Sequence, residues 1–225
     1  VFRTKFHLAK LASGVLLLVC CWVAVAQQQR VKLDDDSDWW SWTRHDLYPD
    51  PDWVHGIRPQ HRQLPESNFR ILGLSAKDSR EATLGHTTEV ERGDAASGRR
   101  QFCYSAPADK VHLVFEYGET AATFILFRGG DDWNGSNLCQ ASPAISARIA
   151  TGSGLRLDML RKDVLKILGD PSLSKPDKLI YYFTYRKRPA TNDPRGSEFI
   201  EVEDSIELHF EDSRVSYVVV SRSES

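Results

Sequence analysis

Gly154-Leu155-Arg156-Leu157-Asp158-Met159-Leu160-Arg161-Lys162-Asp163-Val164-Leu165-Lys166-Ile167-Leu168-Gly169-Asp170-Pro171 is the stretch around which the rest of the chain is organised. Its apolar residues Leu160, Val164, Ile167 and Leu168 recur at i, i+4, i+7 and i+8, one stripe of an amphipathic helix. Gly169 stands where a helix closes in a positive-φ conformation, and Pro171 blocks continuation. A short helix with one apolar stripe cannot bury itself, so the spacing predicts a helix lying on a sheet.

Working outward, the pattern occurs twice. The first copy begins Ile71-Leu72-Gly73-Leu74-Ser75-Ala76-Lys77-Asp78 and reaches Leu84-Gly85. The second begins Arg156-Leu157-Asp158-Met159-Leu160 and reaches Leu168-Gly169. In the first, Ser75 and Asp78 approximate a capping box, although the helical stripe behind them is weak. Val111-His112-Leu113-Val114-Phe115-Glu116 matches Ile206-Glu207-Leu208-His209-Phe210-Glu211 in apolar phase. Short turns follow at Tyr117-Gly118-Glu119 and Asp212-Ser213-Arg214, then second apolar runs from Ala122 to Phe127 and Val215 to Val220. These are hairpin signatures, each preceded by an aromatic strand, Gln101 to Tyr104 or Leu179 to Tyr185. The expected fold is α+β, with two tandem repeats at 67–140 and 141–225. Each repeat is a short helix packed on an antiparallel sheet of about three to four strands.

Composition sets outer limits. Of 225 residues, 41% are hydrophobic and 27% charged, a balance that argues against disorder throughout. The net charge of −2 hides an asymmetry, because residues 1–26 carry Arg3, Lys5 and Lys10 and no acid. The remainder is more acidic than the whole, which argues against a nucleic-acid partner. Arg186-Lys187-Arg188, a tight cationic run, reads as a solvated strand end.

Residues 1–26 read as an export signal. Arg3, Lys5 and Lys10 precede an apolar run from Val15 to Val25, and Ala24-Val25-Ala26 fits cleavage before Gln27. The expectation is a periplasmic or secreted protein, with membrane association only if the chain is lipidated or left uncleaved. Cys20 and Cys21 raise the lipoprotein alternative, but Leu17-Leu18-Val19 lacks the small residue that would precede a lipidated cysteine. Cleavage leaves Cys103 and Cys139, and an even pair in an oxidising compartment reads as a disulfide.

Residues 27–66 form an arm of different composition. It opens Asp34-Asp35-Asp36-Ser37-Asp38 and continues through Pro49, Pro51, Pro59 and Pro65, so no long regular element fits it. Trp39, Trp40, Trp42 and Trp53 lie here, and such aromatic density predicts docking, on the chain's own domain ahead of a partner. Between the copies, Gly129-Gly130-Asp131-Asp132-Trp133-Asn134-Gly135-Ser136-Asn137 reads as a plain loop. Its oxygen-bearing residues miss the calcium-loop spacing.

Leu157-x-Met159 leading into a helix, Leu168-Gly169-x-Pro171 closing it, an aromatic strand and an L-x-F-E hairpin together resemble the BamE/SmpA-type outer-membrane assembly module. The tandem arrangement is similar to the fold of β-lactamase inhibitory proteins, over roughly residues 69–221. Two positions depart from the pattern, Asp158 and Leu160 standing where the family places Gly and Ser or Thr, which leaves Asp158 as the substitute helix cap. The resemblance implies binding of other proteins through sheet and loop surfaces, with no catalytic residues to transfer.

A helix covers one face of its sheet, so the other face should turn polar. Ile206, Leu208 and Phe210 inward, with Glu207, His209 and Glu211 outward, meet that expectation as a solvated polar row. The neighbouring strands carry large apolar groups in both phases, Tyr182 among them. The second face is then covered by the other repeat, by the tryptophan arm or by a partner, in that order of expectation, or it stands as an exposed apolar patch that marks an interaction surface. Tyr182, Glu207, His209, Glu211 and Trp133 are therefore the candidate protein-binding residues. His45, His55 and His61 show no zinc spacing, and P-loop, H-E-x-x-H and G-x-S-x-G patterns are missing. No metal or cofactor is expected. The functional expectation is an exported, non-enzymatic protein-binding or envelope-assembly protein with a partner in the envelope. The alternatives are an envelope hydrolase using His209, Glu207 and Glu211, and a lipid-anchored structural lipoprotein.

Overall fold

The structure, a computed structural model, describes residues 30–32, 57–87, 89–92, 99–129, 138–189 and 198–225. Residues 1–26, expected to be an export signal, the four tryptophans of the arm and Trp133 lie outside these residues. Ten strands build one mixed sheet: β1 (Arg30–Lys32), β2 (Glu89–Arg92), β3 (Arg99–Ala106), β4 (Val111–Tyr117), β5 (Ala121–Arg128), β6 (Gln140–Ala141), β7 (Leu173–Ser174), β8 (Lys178–Lys187), β9 (Ile200–Glu211) and β10 (Arg214–Glu224). Their order is β1-β2-β3-β4-β5-β10-β9-β8-β7, with β6 beside β3. The β1–β2 and β3–β6 pairs are parallel and the others antiparallel. The described α-helices are α1 (Glu81–Leu84) and α2 (Arg161–Leu168), beside short 3-10 turns at Glu66–Phe69 and Pro107–Asp109. Among the described residues no helix is long and apolar enough to cross a membrane.

This architecture corrects the expectation of two tandem helix-on-sheet repeats. The hairpins β4–β5 and β9–β10 form, but β10 pairs with β5 from Tyr217↔Phe127 to Ser223↔Ala121, fusing both sets into one sheet. The reason is edge chemistry: β5 and β10 would otherwise each expose unpaired backbone groups, which their mutual pairing satisfies. One core runs across the seam, Phe102, Tyr104, Phe115 and Phe124 packing in the same cluster as Tyr181, Phe183, Leu208 and Val218. The first helix also shrinks to the single turn of α1. Asp78 does accept the Ser75 N–H at 2.9 Å, as half of a capping box would, but it also binds Arg70, and the chain turns instead of coiling. The weak apolar stripe there gives a longer helix nothing to bury.

The deciding stretch behaves locally as its sequence predicts. Val164 and Leu168 of α2 are buried against the sheet, and the Gly169 N–H closes the last turn on the Leu165 carbonyl at 2.8 Å. Gly169 has φ +77° and ψ −151°, a region open essentially to glycine alone. The N-terminus differs from expectation. The cap residue is Leu160 in extended conformation, with no side-chain cap bond. Asp158 lies two residues earlier at φ +62°, its carboxylate bound to Arg128 and its carbonyl accepting from Arg214. It pins the turn to the sheet and caps nothing.

A bulge in β10 sets which residues face the core. Val215 pairs with Phe210, but the next pair is Tyr217↔His209. The extra residue brings Val215 into phase with Val218 and Val220 in the main core, leaving Tyr217 and Val219 on the opposite face. On the core side one charge pair is deeply buried. Asp204 is 0% exposed and accepts from Arg222 Nε at 2.7 Å and Nη2 at 3.0 Å. Arg222 also reaches Glu66 at 2.6 Å and stacks over Phe69, 4.0 Å from the ring centroid.

Candidate functional site

The second face of the sheet is built from alternate residues of β3, β4, β5, β10, β9 and β8, and the strand register lines them up in transverse rows. The first row is Ser105, His112, Phe127, Tyr217, His209 and Lys178. The second is Cys103, Val114, Ile125, Val219, Glu207 and Ile180. In the first row rings meet in succession, His112 on Phe127 at 5.2 Å, Phe127 on Tyr217 at 6.2 Å and Tyr217 edge-on to His209 at 4.9 Å. Such offset and edge contacts place the positive ring edges against neighbouring π faces. In a third row the buried Gln101 donates through Nε2 to Glu116, and Thr123 meets Ser221 at 2.9 Å.

At the outer end of the rows lies a charged group. Glu207 is 4% exposed, and its Oε1 receives both His209 Nε2 at 2.6 Å and Lys178 Nζ at 2.8 Å. Burial alone would raise this carboxyl, but the hydrogen bonds from His209 and Lys178 outweigh it and hold Glu207 below the ordinary carboxylate range. The solvated polar row expected of Glu207, His209 and Glu211 is therefore corrected. Glu207 is buried and paired, His209 is half-buried, and Glu211 alone is exposed. A carboxylate desolvated by Val219 and Ile180 must hold counter-charges, and its cross-strand neighbours supply them.

Of the candidate binding residues, the sheet places Tyr182, Glu207 and His209 on one face within neighbouring rows. Tyr182 packs with Ile57 and Ile180 in a small separate cluster and is buried. Trp133 falls outside the described residues. Sequence reasoning missed His112, Phe127 and Tyr217 as members of the same row. The signal was available in the hairpin turns, which set the pairing of β4 with β5 and of β9 with β10. No local pattern marks the β5–β10 pairing that joins them.

Cys103 and Cys139 are joined in a disulfide with Cα atoms 4.4 Å apart, anchoring the 138–139 turn to β3. His112 has a ligand atom within 4.8 Å of both sulfurs, the one three-residue group of metal-binding types among the described residues. With the sulfurs bonded to each other no thiolate is on offer, so the group does not constitute a metal site in this state.

His112 carries a pH-dependent load. Burial at 5% exposure pushes its imidazole from the ordinary 6.5 down to about 4. Between those values the unfolded chain binds more protons than the folded one, so stability is full above 6.5 and falls as pH drops toward 4. The loss expected across that window is about 3 kcal/mol. Urea unfolding at intervals from pH 7 to pH 4 should show this slope in the native chain and lack it in His112→Gln. Parallel slopes in the two proteins would contradict it.

Comparison with protein-family models, with curated proteins and with solved structures gives no match for this chain. The resemblance to the outer-membrane assembly module rests on the sequence motifs quoted for it.

Proposed function

We propose that this is an exported protein that works by binding another protein in the cell envelope, through the outer half of the second sheet face. The observation that carries the proposal is the surface where the transverse rows reach β8 and β9. There Lys178, Thr184, Ser205 and His209 are partly exposed and Arg186, Glu201 and Glu203 exposed, beside the buried ring of Tyr182. Tyr182 is already covered by Ile57, so what this surface offers a partner is the wet polar rim around that small apolar cluster, the composition of an interface rim. Neither described cavity touches this patch. The charged groups are also already committed, Glu207 to His209 and Lys178, and Arg186 to Glu201 at 2.6 Å. That commitment supports recognition by shape and charge in preference to proton transfer.

The test is crosslinking capture from envelope fractions with the native chain and with a Glu201→Gln/Glu203→Arg double variant. Both positions are on the exposed side, so the melting temperature should stay within a degree or two while recovery of a defined partner falls at least tenfold. Mass spectrometry of the recovered bait reads its N-terminus, where Gln27 indicates cleavage and an acylated cysteine a lipid anchor. Equal recovery by both proteins, or no partner at all, sinks the binding proposal. The hydrolase alternative keeps one specific foothold in the short His209–Glu207 contact. It would be favoured by a turnover that His209→Ala abolishes.

A further inference from the structure

The core-side face carries a cavity of about 320 Å³ between the sheet and the 77–87 segment that crosses it, a volume in the range of small-molecule sites. Its walls include Phe102, Tyr104 and Tyr117 from β3 and β4, and its mouth is flanked by the exposed Lys77, Ser79, Glu81 and His86. Arg80 lines it while being only 7% exposed.

The environment of Arg80 is unusual for a buried cation. Its guanidinium carbon sits 4.0 Å from the Phe102 centroid, 5.2 Å from Phe115 and 5.4 Å from Tyr117, a box of three rings. Nη1 donates to the Ala76 carbonyl at 2.7 Å, and the Tyr104 and Tyr117 phenols are close enough to contribute polar contact. Among the described residues no carboxylate pairs with it. The acids lining the same cavity are engaged elsewhere: Asp78 with Arg70 at 3.2 Å, Glu81 with His86 at 3.2 Å and Glu89 with Arg100 at 3.4 Å. The ring faces and phenol oxygens attract the cation and the Ala76 carbonyl accepts from it, but none of these groups carries a negative charge. Buried charges in folded proteins are ordinarily matched by an opposite charge, and an unmatched one is costly to keep out of water.

We infer that this cavity is a binding site for a monocarboxylate ligand with an apolar or aromatic body, its carboxylate seated on the Arg80 guanidinium. A planar carboxylate matches the N–H fork, and Phe102, Tyr104 and Tyr117 provide apolar wall for the rest of the molecule. Lys77, Arg80 and Arg100 against Asp78, Glu81 and Glu89 leave the lining with no excess of positive charge, which suits a monoanion better than a phosphate dianion. The site lies on the opposite face from the proposed protein-binding patch, so either assignment can fail without the other.

Isothermal titration with 3-phenylpropionate, 3-phenylpropionamide and inorganic phosphate tests the assignment on the full chain. The acid is expected to bind, with the amide and phosphate at least tenfold weaker. Arg80→Met, which keeps length and apolar packing, should abolish acid binding while leaving the unliganded protein at least as stable as the native chain. A purely structural Arg80 would make that variant markedly less stable. Ser79→Trp, at the exposed mouth, blocks entry while retaining Arg80 and should also lose binding. Equal affinity for acid and amide, retention of binding in Arg80→Met, or no binding of the acid at tens of millimolar overturns the proposal.

Discussion

Asp204→Ala is expected to destabilise this protein by about 3–5 kcal/mol, the cost of leaving a buried counter-ion alone. Asp204 is wholly buried on β9, and its two oxygens take the Nε and Nη2 of Arg222 from the neighbouring strand β10. Burial works against the charged carboxylate and pulls the Asp204 pKa upward, while the same pairing pushes that of Arg222 up. The arginine thus remains charged whatever happens to its partner. Removing the carboxylate leaves that guanidinium with Glu66, which is exposed, and with the face of Phe69. Urea unfolding at pH 7 measures the loss. The double variant Asp204→Ala/Arg222→Met should recover most of it, since an apolar pair removes both the charge and its desolvation cost. A single-variant loss below about 1 kcal/mol would show that water reaches Arg222 and replaces the carboxylate.

Reducing the Cys103–Cys139 bond is the second large effect. The cysteines are 36 residues apart, and the chain-entropy relation gives about 4 kcal/mol for closing such a loop. Unfolding with and without a reductant that has demonstrably opened the bond should differ by that order. Cys103→Ala/Cys139→Ala should match the reduced protein, because both sulfurs sit on the second face in a setting that tolerates small apolar groups beside Val114 and Ile125. A difference under 1 kcal/mol would mean that the 138–141 segment stays docked through the β3–β6 pairing without the bond.

The strands were legible in the sequence because alternation is a local property. Val111-His112-Leu113-Val114-Phe115-Glu116 and Ile206-Glu207-Leu208-His209-Phe210-Glu211 announce period two, and both become strands that send alternate residues to opposite faces. The stop at Gly169 was equally local. Illegible were the contacts made across large separations in the chain. Nothing around Phe127 announces that Tyr217 will lie beside it, so one sheet could not be told from two. The bulge after Val215 shifted the phase of a run that is apolar throughout and therefore carries no period. Glu207 looked solvated because its counter-charge Lys178 belongs to another strand. Arg80 had no sequence signal, since a lone arginine between Ser79 and Glu81 is what an exposed turn also looks like.

The strand that unites the sheet is also the last of the ten in chain order. Thr123 and Ser221, facing each other across the seam, are 98 residues apart. A chain synthesised from its N-terminus therefore completes β2 to β5 long before β10 is available to cover the edge of β5. Loop-closure entropy for that pairing has to be met late, and folds dominated by such contacts form slowly. Until β10 has emerged, the edge of β5 stays unpaired, so among the described strands the seam joining the two halves of the sheet is the last part to close.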